Sequence, residues 1–374
     1  MSEAAEAIER SSDNAGDGTH AATEETPPKT NSDAARPLTG EGRLLTPRTW
    51  LICALLFVGS FTAYGLGSWK LFWKQSDNIH FVDLAHSFWK GQWWTLWSHP
   101  NQGPWKHRRD NDWGRLDYLT VKNIGPVKGT YVSQKTYGYN FYTTDGRGLI
   151  VDNSMIERSC GPHKNQLCRK TRWFVSFPPT PAVLMMPLVK IWDWRINDVW
   201  FTIAFASFNV VLIFLLVRLL TLRGHCERSD FEAIILAISF GFGTIAYFSS
   251  VRGEVWFTAL IVGVTFNLLY ILAALDVRRP LLAGIALAFA FGSRTATMFG
   301  AVFFFLQVLY PRGRFVGFGD GLKRAMPKLL LFVLPCLVAG IALLLYNHAR
   351  FDSYTEFGHR YLPNWAGDRI RLTG

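Results

Sequence analysis

The feature that most limits what this chain can become is the recurrence of apolar stretches long enough to cross a bilayer. Candidate runs cover residues 50–73, 198–221, 231–250, 255–275, 280–293, 295–311 and 328–347. A transmembrane helix needs about 20 mainly apolar residues, so 280–293 and 295–311 are short and the other runs suffice. A soluble core has no use for so many runs of this length. The sequence therefore predicts an all-α polytopic membrane protein of about seven spans. Its 49% hydrophobic content agrees with that class.

The net charge of +11 has two readings. A nucleic-acid binder would gather its basic residues on a soluble module, and none is visible, so no nucleic-acid partner is expected. Positive-inside bias explains the charge better. Arg218, Arg223 and Arg228 follow the second run, and Arg278 and Arg279 the fourth. Arg312, Arg314, Lys323, Arg324 and Lys328 follow the sixth. An alternating count places these connections on the cytoplasmic side, with Arg43 and Arg48 before the first run. Residues 1–46, rich in Ala, Ser, Thr, Asp and Glu, predict a disordered cytoplasmic tail. They lack the basic start and apolar core of a signal peptide.

Between the first two spans, residues 74–197 form a long extracytoplasmic loop. It opens on Ser76 and runs to Gly91, a stretch in which Asp77, His80 and Asp83 recur every third residue. On a helix these would share one face while Phe81, Leu84 and Phe88 pack on another, as suits the membrane–water boundary. This stretch is read as the start of an active site. Trp93-Trp94-Thr95-Leu96-Trp97 follows as an aromatic belt. Alternation over residues 129–153 predicts a small β-hairpin insertion turning at Asp145-Gly146-Arg147-Gly148. Cys160 and Cys168 fit no common zinc spacing, and His163 alone would leave a metal short of ligands, so a disulfide is expected. Cys53, Cys226 and Cys336 lie in or beside apolar segments and read as packing residues. Pro178, Pro179 and Pro181 preclude a regular helix where they stand. Residues 173–188 therefore read as a re-entrant or interfacial segment bordering the site.

Three further polar positions fall on the outer side. They are Arg252-Gly253-Glu254, then Arg294 between two short apolar segments, and residues 347–374 with Arg350, Glu356, His359 and Arg360. Each has a plainer reading. Asp77 could cap a helix. Arg294 could snorkel to headgroups. Arg252 and Glu254 could pair across a tight turn, and His80 and His86 could be structural. The short flanks of Arg294 favour a turn into a polar cavity, where ionisable groups serve function. No HExxH, phosphate loop, dinucleotide fingerprint or serine elbow occurs in the right context. Carboxylates beside basic groups at headgroup depth suit a phosphorylated lipid substrate. Arginines would hold the phosphate, a carboxylate would deprotonate an acceptor hydroxyl or amine, and a groove from residue 178 to 188 would hold an isoprenoid tail.

Four pieces of sequence together resemble the GT-C class of integral-membrane glycosyltransferases, in its bacterial group of protein O-mannosyltransferase-like and lipid A aminoarabinose transferase-like enzymes. They are the Asp77–Gly91 stretch, Phe-Pro-Pro-Thr-Pro-Ala-Val-Leu from Phe177, Arg279–Gly284 leading to Ser293-Arg294-Thr295, and Asn347–Asp352 leading to Glu356–Tyr361. The resemblance covers residues 50–361. It implies a polyprenyl-phosphate sugar donor, inverting transfer to a lipid, glycan or protein acceptor, and an extracytoplasmic site in a bacterial inner membrane. It carries the catalytic base onto Asp77 and donor-phosphate binding onto Arg294. Arg252, His80, Asp83, Glu254, His359 and Arg360 join as substrate-binding or orienting residues. His80 and Phe177 stand where many relatives carry basic residues. No metal ligand set is assigned, although some of the broader class use a divalent cation. The expected organisation is a tail over 1–46, a catalytic membrane domain over 47–361 and an extracytoplasmic segment over 362–374. Members often have more spans, so the chain reads as a fragment or a shortened member. The competing expectations are a transporter or flippase of lipid-linked sugars, which predicts internal repeats that are not seen, and a scaffold whose external loop binds a partner.

Overall fold

The computed structural model describes residues 44–96, 113–158, 160, 166–311, 315, 319, 321–363 and 365–373. The expected disorder of the tail falls almost wholly outside these residues, as do Trp97, His163, Arg312 and Arg314. Helix α1 (Pro47–Gly67) begins where the Thr46 hydroxyl accepts from Thr49 N–H and Pro47 occupies the first turn. It stops six residues short of the expected run, at Ser68, and only one further turn follows, at Trp69–Phe72. Glycine permits this end: a Cβ at Gly67 would lie 2.5 Å from the Tyr247 hydroxyl, and one at Gly65 2.9 Å from the Phe72 ring.

The remaining longer helices are α2 (His80–Trp89), α3 (Thr180–Trp192), α4 (Asp198–Leu222), α5 (Asp230–Phe242), α6 (Ile245–Ser250), α7 (Val255–Ala274), α8 (Pro280–Phe291), α9 (Ala301–Leu309), α10 (Leu322–Phe351) and α11 (Trp365–Thr373). Four stretches are long and apolar enough to cross a membrane: Pro47–Gly67, Asp198–Leu222, Val255–Val277 and Leu322–Phe351. Their outward residues are what lipid requires. Leu51, Leu55 and Val58 on α1, and Leu330, Leu334, Leu337, Val338 and Leu345 on α10, are all exposed.

Helices α4 and α7 run parallel. Thr202 and Thr258 bond at 2.6 Å near their starts, Thr265 donates to Asn209 at 2.6 Å midway, and Arg223 donates to Leu275 O at 2.9 Å near their ends. Parallel neighbours require the chain between them to travel back, and α5 and α6 make that return alongside α1. Asp230 lies near Arg48 (3.7 Å), Gly241 O accepts from the Tyr64 hydroxyl (3.1 Å), and Tyr247 meets Gly67. The expected single run over 231–250 is broken at Gly243-Thr244. The Thr244 hydroxyl donates to Phe240 O and accepts from Ala246 N–H, ending one helix and starting the next.

Helix α8 then rises against α7, with Phe266 and Phe289 stacked, and the chain turns at Ser293-Arg294. It returns through a 3-10 segment, Thr295–Gly300, and α9, where Gln307 accepts from Asp276 N–H at 3.0 Å. At 1.5 Å per residue, the 12 residues of α8 rise only about 18 Å. The turn therefore stops beside Gly263, well inside α7. Helix α10 closes on α8 at Gly284, where any Cβ would overlap the Phe332 carbonyl.

The long loop is not a string of interfacial helices with a hairpin. It holds a five-stranded antiparallel sheet in the order β4-β3-β2-β1-β5. The strands are β1 (Trp113–Val121), β2 (Gly125–Tyr131), β3 (Phe141–Thr143), β4 (Gly148–Leu149) and β5 (Arg169–Val175). Strands β3 and β4 flank the Asp145–Gly148 turn region but form only the edge of this layer, so the chain is not all-α. Leu119, Val121, Val127, Phe141, Val151, Ile156 and Cys168 make its small core, and a Cys160–Cys168 disulfide closes the rim. The end of α10 docks on the sheet through Arg350. This residue is wholly buried and donates to Val175 O at 2.8 Å and Asn347 Oδ1 at 2.8 Å.

Candidate functional site

The loop between α1 and α2 is pinned to the start of α4. Gln75 Nε2 donates to Trp194 O at 2.7 Å and Ile196 O at 2.6 Å. Asp198 accepts Ser76 N–H at 2.8 Å through Oδ1 and the Ser76 hydroxyl through Oδ2. Asn197 caps α4 with its oxygen and donates its amide to Phe72 O at 3.0 Å and Lys74 O at 3.2 Å. Asp77 follows directly. It is exposed and makes no hydrogen bond or ion pair with another described residue.

Helix α2 starts at His80, so Asp77 does not share a helical face with His80 and Asp83, and no side chain caps the helix. Nor is α2 amphipathic at a water boundary. Every residue from His80 to Ser87 is buried, because β1, α3 and the end of α10 cover the face expected to be wet. His80 stacks on Trp113 with ring centroids 4.0 Å apart. Asp83 accepts from Leu96 N–H at 3.4 Å and the Ser87 hydroxyl at 3.3 Å. Burial pushes its carboxyl up to about 7. His86 stacks on Trp194 at 3.9 Å, and burial lowers its pKa, against the pull of Asp193.

Phe177 is the hub of the other elements. Its ring meets His80 at 6.3 Å, Phe81 at 6.3 Å, His359 at 6.4 Å and the Arg294 guanidinium at 5.7 Å. Pro178 and Pro179 stay outside helical structure, as expected, but helix α3 begins directly after them at Thr180 and contains Pro181 and Pro187. Pro181 sits in the first turn, where a missing N–H costs little, and Thr180 N–H donates to Gly292 O at 2.9 Å. That bond ties α3 to the α8 turn and so to Arg294. Arg294 donates from Nη2 to Trp256 O at 2.8 Å, while its buried Nε has no hydrogen-bond partner among the described residues.

Gly253 places the Arg252–Glu254 turn on α4. Its φ is +70°, and a Cβ would stand 2.7 Å from Val199 Cα, one residue from Asp198. Arg252 Nε lies 3.8 Å from Glu254 Oε2 and also packs on Phe248, so this pair satisfies its own charges at the rim. His359 and Arg360 begin a short 3-10 turn held by Glu356, which accepts Gly358 N–H at 2.6 Å and lies 3.5 Å from Arg360 Nε. The fold thus gathers Asp77, His80, Glu254, Arg294 and His359 at one end of the helices. Asp83, one turn after His80 on α2, is buried and turned to Leu96 and Ser87, and Arg252 and Arg360 are engaged in rim ion pairs.

Asn197, Asp198 and the organising role of Phe177 had no sequence signature. An Asn-Asp pair before a span looks like an ordinary helix cap, and only the fold reveals that Asp198 grips Ser76. Among the described residues no group of three His, Cys, Asp or Glu is placed to hold a metal ion. Asp83 is turned to Leu96 and Glu254 to Arg252. No family model, curated protein or solved structure matches the chain.

Proposed function

We propose that the chain is a multi-pass glycosyltransferase of a bacterial inner membrane. It moves a monosaccharide from a polyprenyl-phosphate donor to an acceptor hydroxyl or amine on the extracytoplasmic face, with inversion. The observation that supports this reading is that Asp77, exposed and without a hydrogen bond or ion pair to another described residue, belongs to the same end of the helices as Arg294. The loop of Asp77 is clamped, and the Arg294 Nε is unsatisfied at the apex of a hairpin rising from membrane depth. In this reading seven passes are made by α1, α4, α5 with α6, α7, α8, the 3-10 segment with α9, and α10. The cytoplasmic end carries Arg48, Arg218, Arg223, Asp230 and Asp276, and the outer end the disulfide.

The chemistry follows from those positions. Asp77 accepts the proton of the acceptor as its oxygen or nitrogen bonds the anomeric carbon. The bond from that carbon to the phosphate oxygen breaks with its electron pair leaving on the phosphate, and Arg294 stabilises the charge that develops there. His359 and Glu254 border the sugar. The isoprenoid tail lies along α3 and α8, in contact with lipid.

The test is transfer by the purified protein in proteoliposomes given polyprenyl-phosphate donors with radiolabelled sugars and membrane-extract acceptors. The expected result is label in the acceptor fraction with the anomeric configuration inverted. Movement of intact donor across the bilayer with no transfer would establish the flippase alternative instead.

A further inference from the structure

The sheet carries a second polar cluster that this chemistry does not use. By strand alternation Trp113, Arg115 and Asp117 share one face of β1, and the β5 register sets Thr171 opposite Asp117 and Trp173 opposite Arg115. Asp117 is wholly buried. Its carboxylate lies 3.0 Å from Arg115 Nε and 3.1 Å from Arg169 Nε, and accepts the Thr171 hydroxyl at 2.5 Å. The two arginine side chains keep 27% and 30% of their surface exposed. They line a cavity of about 420 Å³ with Tyr131, Asn140, Asp152 and Asn153. That volume falls within the range of roughly 300–1,000 Å³ usual for small-molecule sites.

Stability of the sheet does not call for this cluster. The same face continues into an apolar core at Leu119, Val121 and Val127. A buried ion pair replaced by packed apolar residues is generally as stable or more so. What the cluster accomplishes is to fix two guanidiniums in place at a cavity wall. Both arginines pair with the one buried carboxylate of Asp117, and Asp152 on the cavity wall accepts from Ser154. Asn140 is itself locked, exchanging bonds of 2.7 Å with the Val151 backbone in both directions. The Arg169 guanidinium lies 5.0 Å over the Tyr131 ring, and these rigid planar donors and acceptors match the adjacent hydroxyls of a sugar.

We propose that the Arg115–Asp117–Arg169 cavity is a saccharide subsite, and that it holds the acceptor glycan; the acceptor role, though not the binding, rests on the transferase reading. Position supports the link. Trp113 is two residues from Arg115 on the same face, about 7 Å along the strand. Its ring stacks on His80, at the start of the helix that follows Asp77. Trp113 and His80 are both buried, so the cavity and the transfer site are joined through this packed stack.

The test is binding without any donor, by ligand-observed NMR on the full chain in nanodiscs, with neutral, N-acetylated and uronic disaccharides as probes. The wild type is expected to bind at least one probe. The triple variant Arg115→Met, Asp117→Leu, Arg169→Met is expected to unfold at the wild-type temperature and to bind that probe at least tenfold more weakly. Tyr131→Leu, which leaves the ion pairs intact, is a second variant expected to weaken binding. No binding by the wild type, or undiminished binding by a folded triple variant and by Tyr131→Leu, overturns the proposal. Binding lost in these variants by a protein that transfers no sugar would leave the subsite standing and remove the transferase reading.

Discussion

Asp198 illustrates how much of the site depends on a residue that touches no reacting atom. Its two oxygens hold Ser76, and Ser76 precedes Asp77, so loss of the carboxylate frees the proposed base to wander. Asp198→Ala is expected to lower kcat tenfold or more while the donor KM stays within about twofold, because misplacing a catalytic group costs rate rather than ground-state binding. An equal loss in KM would instead assign Asp198 to donor binding. Asp83 makes a different prediction. Its folded pKa of about 7 lies above the ordinary 3.8, so between those values the folded chain holds a proton that the unfolded chain has lost. Stability is then greatest below pH 4, falls as pH rises towards 7 and is flat above. Asp83→Asn can still accept from Leu96 N–H, and it removes that slope. In thermal unfolding against pH the variant should gain on the wild type by up to about 4 kcal/mol at pH 8. Parallel curves for the two would contradict the burial argument. At this scale Asp77 was legible as an acid just beyond an apolar run. The dry setting of His80 and Asp83 was not, since the strand that covers them begins at Trp113, far along the chain.

Among elements, the long apolar helices were legible because lipid imposes a length and a composition that sequence cannot hide. The breaks were harder to read. Gly243-Thr244 interrupts an apolar run without a proline or a charge, through hydroxyl bonds that a Thr in mid-helix can also make. The sheet was read only at one edge. The alternation in β1 is masked by half-buried Arg115 and buried Asp117, which look like solvent-facing residues until their mutual pairing is known. Gly253 tests how the turn at Arg252–Glu254 is seated. Its positive φ, and the 2.7 Å that would separate an added methyl from Val199 Cα, leave no room for a side chain. Gly253→Ala is expected to cost about 1–3 kcal/mol in chemical denaturation. A neutral result would mean that the turn is not packed on α4.

At the scale of the whole molecule, the ion pairs of Arg218 and Arg223 and the disulfide lie at opposite ends. Arg223 pairs with Asp276 and Arg218 with Asp230 at one end, while the Cys160–Cys168 bridge, the sheet and Asp77 belong to the other. Cys226, a free and partly exposed thiol just after α4, reports on this polarity. A membrane-impermeant maleimide should label it in inside-out vesicles and not in right-side-out ones; the opposite pattern would invert the topology. The long apolar helices supply the membrane class, and the end that carries the sheet supplies the proposed chemistry, in which Asp77 is indispensable. Single-turnover transfer from a labelled polyprenyl-phosphate sugar therefore tests the account most directly, comparing wild type with Asp77→Asn at equal donor binding. The account predicts that the variant binds donor and loses transfer by at least a thousandfold. Transfer at the wild-type rate by Asp77→Asn would contradict it.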